Sequence, residues 1–88
     1  MYAVLVQVLL DRNKRDEVMQ NLQNLVPQVK AAPGFVTGTW FGDLDAGYGS
    51  MTFQNEQQAR QVAGMTASNP DDPVQVIDVK VYEVHAEA

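Results

Sequence analysis

The chain has 88 residues, of which 45% are hydrophobic, and it contains no cysteine. Six basic and eleven acidic side chains give a net charge of −5, which argues against nucleic acid and anionic membranes as partners. Disulfides, Cys-based zinc sites and CxxC redox chemistry are excluded, and no apolar run reaches the ~20 residues of a membrane span. We expect a single soluble, cytoplasmic domain over residues 1–88, without metal or cofactor.

The first half of the chain predicts a strand, a helix and a second strand. Tyr2–Leu10 is apolar on both alternating faces, with Gln7 as its one polar interruption, and this predicts a central strand covered on both sides. Apolar residues recur at helical spacing between 11 and 32, where Pro27 predicts a kink or a short second helical segment. Phe35–Gly42 is rich in β-branched and aromatic residues and predicts the next strand.

The second half predicts a hairpin, a second helix and a long last strand. Asn55 is expected to cap the helix, with the Gln58 side chain reaching back to complete a capping box. Asp43 and Asp45 are expected to form the hairpin turn rather than an acid–base pair. In order, the pattern gives a hairpin loop over 43–47, a strand over 48–54, the helix from Asn55, a loop over 68–73 and a strand over 74–84.

This order of elements, βαββαβ, indicates an α+β fold with an antiparallel sheet. A right-handed crossover leaves a gap between strands 1 and 2, and strand 3 fills it because the hairpin pairs strand 3 with strand 2. The resulting strand order is 4-1-3-2 with both helices on one face, which is the ferredoxin-like fold.

The opposite face of this sheet is expected to be too apolar for water. Strand 1 is apolar on both sides, and strand 4 is expected to place apolar residues on both faces as well. A second copy packed sheet to sheet about a twofold axis buries that face, so we expect a homodimer. The predicted faces of strand 4 are Ile77, Val79 and Val81 on one side and Val74, Val76, Tyr82 and Val84 on the other.

Three segments resemble a known family. The run Ala32-Pro33-Gly34-Phe35 before the second strand, the NEQQAR start of the second helix and the closing VKVYEV strand are similar to the antibiotic-biosynthesis-monooxygenase-type dimeric α/β barrels. The resemblance covers nearly the whole chain in element order and length. It implies a dimeric barrel with a small cavity between sheet and helices, where active members bind aromatic or polyketide-like molecules without metal or flavin.

The resemblance also marks positions where this chain departs from the family's catalytic pattern. Cofactor-free oxygenases of the family commonly carry Asn on the third strand and Trp at the start of the second helix, and these positions correspond here to Met51 and Asn55. An aromatic hydroxyl used by some members falls near Arg60. The haem-degrading branch uses a helix histidine, whereas His85 follows the last strand.

Six residues are candidates for contact with a ligand. Each has a structural alternative: core or dimer packing for Trp40, bonding to a neighbouring strand or loop for Gln7, and an ion pair with Glu56 for Arg60. The two tyrosines alternatively lie at the sheet edge with their hydroxyls in water. The candidates are Gln7, Trp40, Tyr48, Met51, Arg60 and Tyr82.

Three functions remain open at this point. The favoured one is a homodimeric barrel that binds a small apolar or aromatic molecule between sheet and helices. The alternatives are a cofactor-free monooxygenase or isomerase of the same architecture, and a purely structural interaction module. The binding and the enzyme hypotheses both require a cavity of about 300 Å³ or more between sheet and helices. If Met51, Phe53 and Met65 fill that space, only the structural interaction module remains.

Overall fold

A computed structural model describes residues 1–68 and 72–88. Residues 69–71, in the middle of the loop predicted over 68–73, lie outside the described residues. A short 3₁₀ turn over Arg12–Lys14 precedes the first helix. The remaining elements are β1 (Tyr2–Leu10), α1 (Arg15–Lys30), β2 (Phe35–Gly42), β3 (Ala46–Phe53), α2 (Glu56–Met65) and β4 (Val74–Glu83).

The four strands form one antiparallel sheet in the order β2-β3-β1-β4. Read from the other edge, this is the predicted order 4-1-3-2, and it is compatible with the ferredoxin-like fold. The prediction that β1 is central is confirmed, because β1 pairs with β3 on one side and with β4 on the other.

The register divides the sheet into a helix face, which carries the core, and an open face. Val4 lies opposite Met51 on β3 and Val81 on β4, and this row points toward the helices. The next row, Leu5 opposite Ser50 and Lys80, belongs to the open face because successive strand residues point to opposite sides. Val4 is fully buried, whereas Leu5 is 37% exposed.

The core between the helix face and the helices is small. Ala59 of α2 is fully buried, and a side chain this small lets the helix approach the sheet closely. The rings of Phe35 and Phe53 meet edge to face at 6.0 Å between centroids. The buried cluster consists of Val4, Val6, Met51, Phe53 and Ala59.

The predicted faces of β4 need a correction. The pairing of β4 with β1 shifts register between Gln7 and Val8, where Gln7 lies opposite Asp78 and Val8 lies opposite Val76. Ile77 is therefore an extra residue at a β-bulge, and a bulge of one residue reverses the alternation beyond it. Val74 and Val76 consequently share the helix face with Val79 and Val81 instead of opposing them, and the exposed Ile77 is not aligned with those valines.

Helix α1 is continuous through Pro27, so the predicted separate second segment is not observed. The 3₁₀ turn directly precedes its N-terminus. In that turn the Asp11 carboxylate accepts a hydrogen bond from the backbone N–H of Asn13 at 3.0 Å. At the other end, the N–H of Ala31 donates to the carbonyl of Pro27 at 3.1 Å. The helix therefore keeps its last turn despite the missing proline N–H.

The β2–β3 hairpin confirms the two aspartates as turn formers, although β3 begins at Ala46, two residues before the predicted start. Oδ1 of Asp43 accepts hydrogen bonds from the backbone N–H groups of Asp45 and Ala46, both at 2.8 Å. Asp45 receives a two-point ion pair from Arg12, whose Nε and Nη2 lie 2.8 and 2.7 Å from its two carboxylate oxygens. This pair joins the hairpin to the segment that follows β1.

The hydrogen bonds of Asp43 in the hairpin predict that the stability of the protein depends on pH. The hydrogen bonds from Ala46 and Asp45 hold the pKa of the Asp43 carboxyl below its usual range. A lowered pKa contributes stability that is complete above the ordinary aspartate pKa of about 4 and is lost as the pH falls through the folded value. Asp43→Ala should therefore lower the thermal midpoint at pH 7, and the difference from wild type should narrow between pH 4 and pH 2, measured by circular dichroism.

Asp16→Ala is the control, since it removes an exposed carboxylate that has no hydrogen-bond partner among the described residues. Its difference from wild type should be smaller at pH 7. If the difference in thermal midpoint between Asp43→Ala and the wild type stays constant from pH 7 to pH 2, the stabilisation by Asp43 does not come from its charged carboxylate.

Candidate functional site

A cavity of about 760 Å³ lies between the helix face of the sheet and the two helices. Its volume is well above the ~300 Å³ at which a small-molecule site becomes feasible. Met65 does not fill it, because that side chain is 76% exposed, while Phe53 belongs to the buried core beside it. The floor is formed by Val6, Val8, Trp40, Gly47, Gly49 and Met51.

The walls of the cavity come from the apolar sides of both helices. On α1 the predicted helical stripe lines the cavity, with Val18 buried and Leu25 still 43% exposed. On α2 the half-buried Val62 lines the opposite wall. The apolar stripe of α1 therefore borders open space over much of its length, which is why the cavity is large for so short a chain.

Trp40 rests on two glycines of the helix face, Gly38 and Gly49, which we call the glycine seat. A Cβ atom built on Gly49 would lie 2.9 Å from Nε1 and 3.0 Å from Cδ1 of the indole. A Cβ atom built on Gly38 would lie 2.9 Å from Cη2 and 3.1 Å from Cζ3, at the opposite end of the ring system. The indole can therefore lie along the sheet surface because both positions lack a side chain.

Gln58 does not complete the predicted capping box. The Asn55 side chain does cap α2, accepting from the Gln58 backbone N–H at 2.9 Å, but the Gln58 side chain extends over Gly34 instead. Its Oε1 is buried and has no hydrogen-bond partner among the described residues. Gly34 has a φ of +78°, and a Cβ there would overlap the Gln58 carboxamide, so this contact also requires glycine.

Charged groups occur where the cavity opens, beside the segment between β1 and α1. Arg12 and Asp43 belong to the hairpin network described above, and Arg15 at the start of α1 is exposed. Exposed apolar side chains complete the cavity lining: Met19, Leu25, Leu44 and Met65. The opening thus combines charge with uncovered hydrophobic surface, while the interior is apolar.

The structure brings some predicted site residues together and separates others. Trp40 and Met51 share the cavity floor. Tyr48 contributes to the lining, but its ring stacks on Phe41 with centroids 5.5 Å apart, and its register places it in the open-face row with Gln7.

The other three predicted residues lie away from the cavity. Gln7 lies opposite Tyr48 and Asp78 in the open-face row and does not line the cavity. Tyr82 lies opposite Ala3 on the open face and is 46% exposed. Arg60 is exposed and its Nε donates to Glu56 at 3.2 Å, which is the ion pair foreseen as its structural alternative. Ligand contacts by Gln7, Arg60 and Tyr82 would need a surface outside this cavity.

Sequence reasoning missed the glycine seat and the position of Gln58. Gly38 and Trp40 are two residues apart on one strand, which places them on the same face, and this signal was visible in the sequence. The contribution of Gly49 depends on the pairing of Trp40 with Gly49 across β2 and β3, so it required the register. The Gln58 contact with Gly34 joins residues 24 positions apart and has no local signal.

Comparison of the chain with models of known protein families finds no match, and comparison with curated proteins finds none either. Among residues 1–68 and 72–88, no three side chains of His, Cys, Asp or Glu are grouped as metal ligands would be. In the same ranges, neither helix has the length and apolar character needed to cross a membrane.

The buried Gln58 oxygen makes a stability prediction. An unsatisfied buried acceptor costs about 1 kcal/mol or more, and methionine has a similar length and helix propensity without that oxygen. Gln58→Met should therefore raise the free energy of unfolding by about 1 kcal/mol in urea denaturation. The control is Gln57→Met, because Gln57 precedes Gln58 on the same helix but is exposed. This substitution should change the free energy of unfolding by less than about 0.5 kcal/mol. A clear loss of stability in Gln58→Met would contradict the unsatisfied state of the oxygen.

Proposed function

We propose that the protein binds a small apolar or aromatic molecule in the cavity between its sheet and helices, and that it does so as a homodimer. The observation that supports the first part is the cavity itself, about 760 Å³ of space with aliphatic walls and Trp40 on its floor. Ligand sites are typically concave, mainly apolar and supplied with a few polar groups that orient the ligand.

Two polar groups in the lining have unused hydrogen-bonding capacity. The Trp40 indole Nε1–H has no acceptor among the described residues, and neither end of the Gln58 carboxamide has a partner there. Rotation about the Gln58 Cγ–Cδ bond exchanges its donor and acceptor ends without breaking any of the described hydrogen bonds. A ligand with one hydroxyl or carbonyl group would use this capacity, and Oε1 of Gln58 is the atom that is costly to leave without a partner because it is buried.

Oxygenase or isomerase chemistry, the alternative, has less support. Asn55 is occupied in capping α2, and Met51 offers a thioether at the cavity floor. Neither the indole of Trp40 nor the amide of Gln58 removes a proton from a substrate near neutral pH. The residues that line the cavity therefore support binding of a ligand better than catalysis.

Trp40 is the one tryptophan of the chain, so its indole N–H gives a single reporter signal from the cavity floor. Titration with 2-naphthol or with its saturated analogue decahydro-2-naphthol should shift this signal in a ¹H–¹⁵N NMR spectrum. For ligands of this size we expect dissociation constants at or below about 1 mM for at least one of the two probes. Val62→Phe, which adds volume to the cavity wall, should weaken binding at least about tenfold.

Val36→Phe is the matched control, because Val36 is exposed on β2 and does not line the cavity. It should bind both probes as the wild type does. If neither probe shifts the indole signal, or if Val62→Phe binds as tightly as Val36→Phe, the proposal of a ligand site in this cavity is wrong.

The homodimer is supported by the open face of the sheet. Few hydrophobic side chains are buried in the single chain, and Leu5 and Leu9 of the central strand stay exposed on this face. The stacked rings of Phe41 and Tyr48 extend the apolar surface toward the β2 edge, and Tyr82 extends it toward the β4 edge. Covering this face from both copies would bury area on the scale of a standard interface, about 1,600 Å² in total.

Polar residues on the open face fit a sheet-to-sheet contact that is not wholly apolar. Lys80 and Asp78 lie 3.7 Å apart on β4 and balance each other's charge. The bulge moves two valines of β4 to the helix face, so the open face is less apolar than the sequence predicted. The dimer proposal therefore depends on Leu5, Leu9 and the aromatic rings rather than on β4 valines.

A charge placed in the middle of the open face should separate the copies. At micromolar concentration, sedimentation equilibrium of the wild type should give twice the chain mass of 9.7 kDa. Leu5→Lys would bury an unpaired ammonium in the interface, which is costly, so its mass should be that of one chain. Met19→Lys introduces the same charge on α1, on the other side of the sheet, and should remain dimeric.

Two results would contradict the dimer. One is a wild-type mass of 9.7 kDa at micromolar concentration, and the other is a Leu5→Lys variant that remains dimeric like Met19→Lys. Circular dichroism spectra of both variants should match the wild type, so that loss of the dimer is distinguished from loss of the fold.

A further inference from the structure

The contact between Trp40 and the glycine seat has a consequence for the choice of ligand. The pyrrole end of the indole lies over Gly49 of β3 and its benzene end lies over Gly38 of β2, so the ring system spans two neighbouring strands. This arrangement keeps the indole at the cavity floor, where it lines the space rather than filling it.

The indole is also free to receive another ring. The described ring contacts pair Phe35 with Phe53 and Phe41 with Tyr48, and neither pair includes Trp40, although Phe35 lies near its benzene end on the other side of Gly38. Aromatic pairs, stacked or edge to face, gain energy beyond the area they bury, whereas a saturated ring of the same size gains only the area. The floor therefore favours a flat, unsaturated partner.

Resting on the proposed cavity function, we propose that the ligand carries a planar aromatic ring system that packs against Trp40, and that Gly38 and Gly49 determine this preference by holding the indole down on the sheet. The two glycines are positioning residues, because they act on the ligand through Trp40. A methyl group at either position would push one end of the indole into the cavity, since the built Cβ atoms lie 2.9 Å from ring atoms.

The chain offers a matched control for this substitution. A Cβ atom added to Gly64 meets no other atom within 4 Å, so Gly64→Ala introduces the same methyl group without touching the site. Gly64 lies inside α2, where alanine is the better helix former, and the variant should be at least as stable as the wild type.

The experiment compares two probes of similar size and the same hydroxyl group, planar 2-naphthol and saturated decahydro-2-naphthol, by isothermal titration calorimetry. The wild type and Gly64→Ala should bind 2-naphthol about two- to tenfold more tightly than the saturated probe. Gly49→Ala should bind the two probes with about equal affinity. A purely structural defect would weaken both probes together and leave the ratio unchanged, so the ratio is the informative quantity.

Trp40→Leu gives a second variant in case Gly49→Ala does not fold. It removes the aromatic floor while keeping an apolar side chain, and it should also bring the ratio to about one. The inference is overturned if the wild type binds both probes equally, or if Gly49→Ala or Trp40→Leu keeps the preference for 2-naphthol. If the wild type binds both probes equally, the proposed ligand site still stands and only the aromatic preference is wrong. If the wild type binds neither probe, the proposed ligand site itself is wrong.

Discussion

The pairing of β1 between β3 and β4 is the constraint on which the rest of the structure depends. Because both neighbours run antiparallel to β1, each β1 residue fixes the face of two partners, and Val4 aligns Met51 and Val81 in the buried row. The same register places Gly49 beside Val6 and opposite Trp40. A slip of one residue would turn these side chains to the open face, so the core and the cavity floor are specified together.

The helices relate to this sheet in different ways, and the cavity is the result. Helix α2 approaches closely because Ala59 is small, and it contributes to the buried cluster. Helix α1 has an apolar stripe at helical spacing, but residues of that stripe such as Leu25 remain exposed where they line the cavity. A chain of 88 residues that leaves so much apolar surface uncovered gains from any molecule that covers it, which is the common physical basis of the two proposals, a ligand in the cavity and a second copy on the open face.

The elements whose signals are local could be predicted from the sequence. The strands, both helices and the Asp43 turn follow from alternation, helical spacing and capping chemistry within short windows. The strand order also followed, since a hairpin and two crossovers leave few arrangements. The faces of β4 were wrong because a bulge at Ile77 adds one residue without leaving a mark in the pattern of alternating side chains.

For the candidate site, the sequence by itself offered Trp40 and Met51 as candidates to contact a ligand, but it left core or dimer packing open for Trp40. The register places both residues on the helix face, where they line the cavity. The sequence could not place Gln58 over Gly34 or Gly49 under the indole, since these contacts join residues distant along the chain. The size of the space was likewise decided by the tertiary structure alone. It depends on how far α1 stands from the sheet, and an apolar stripe has the same sequence whether it borders a packed core or an open cavity.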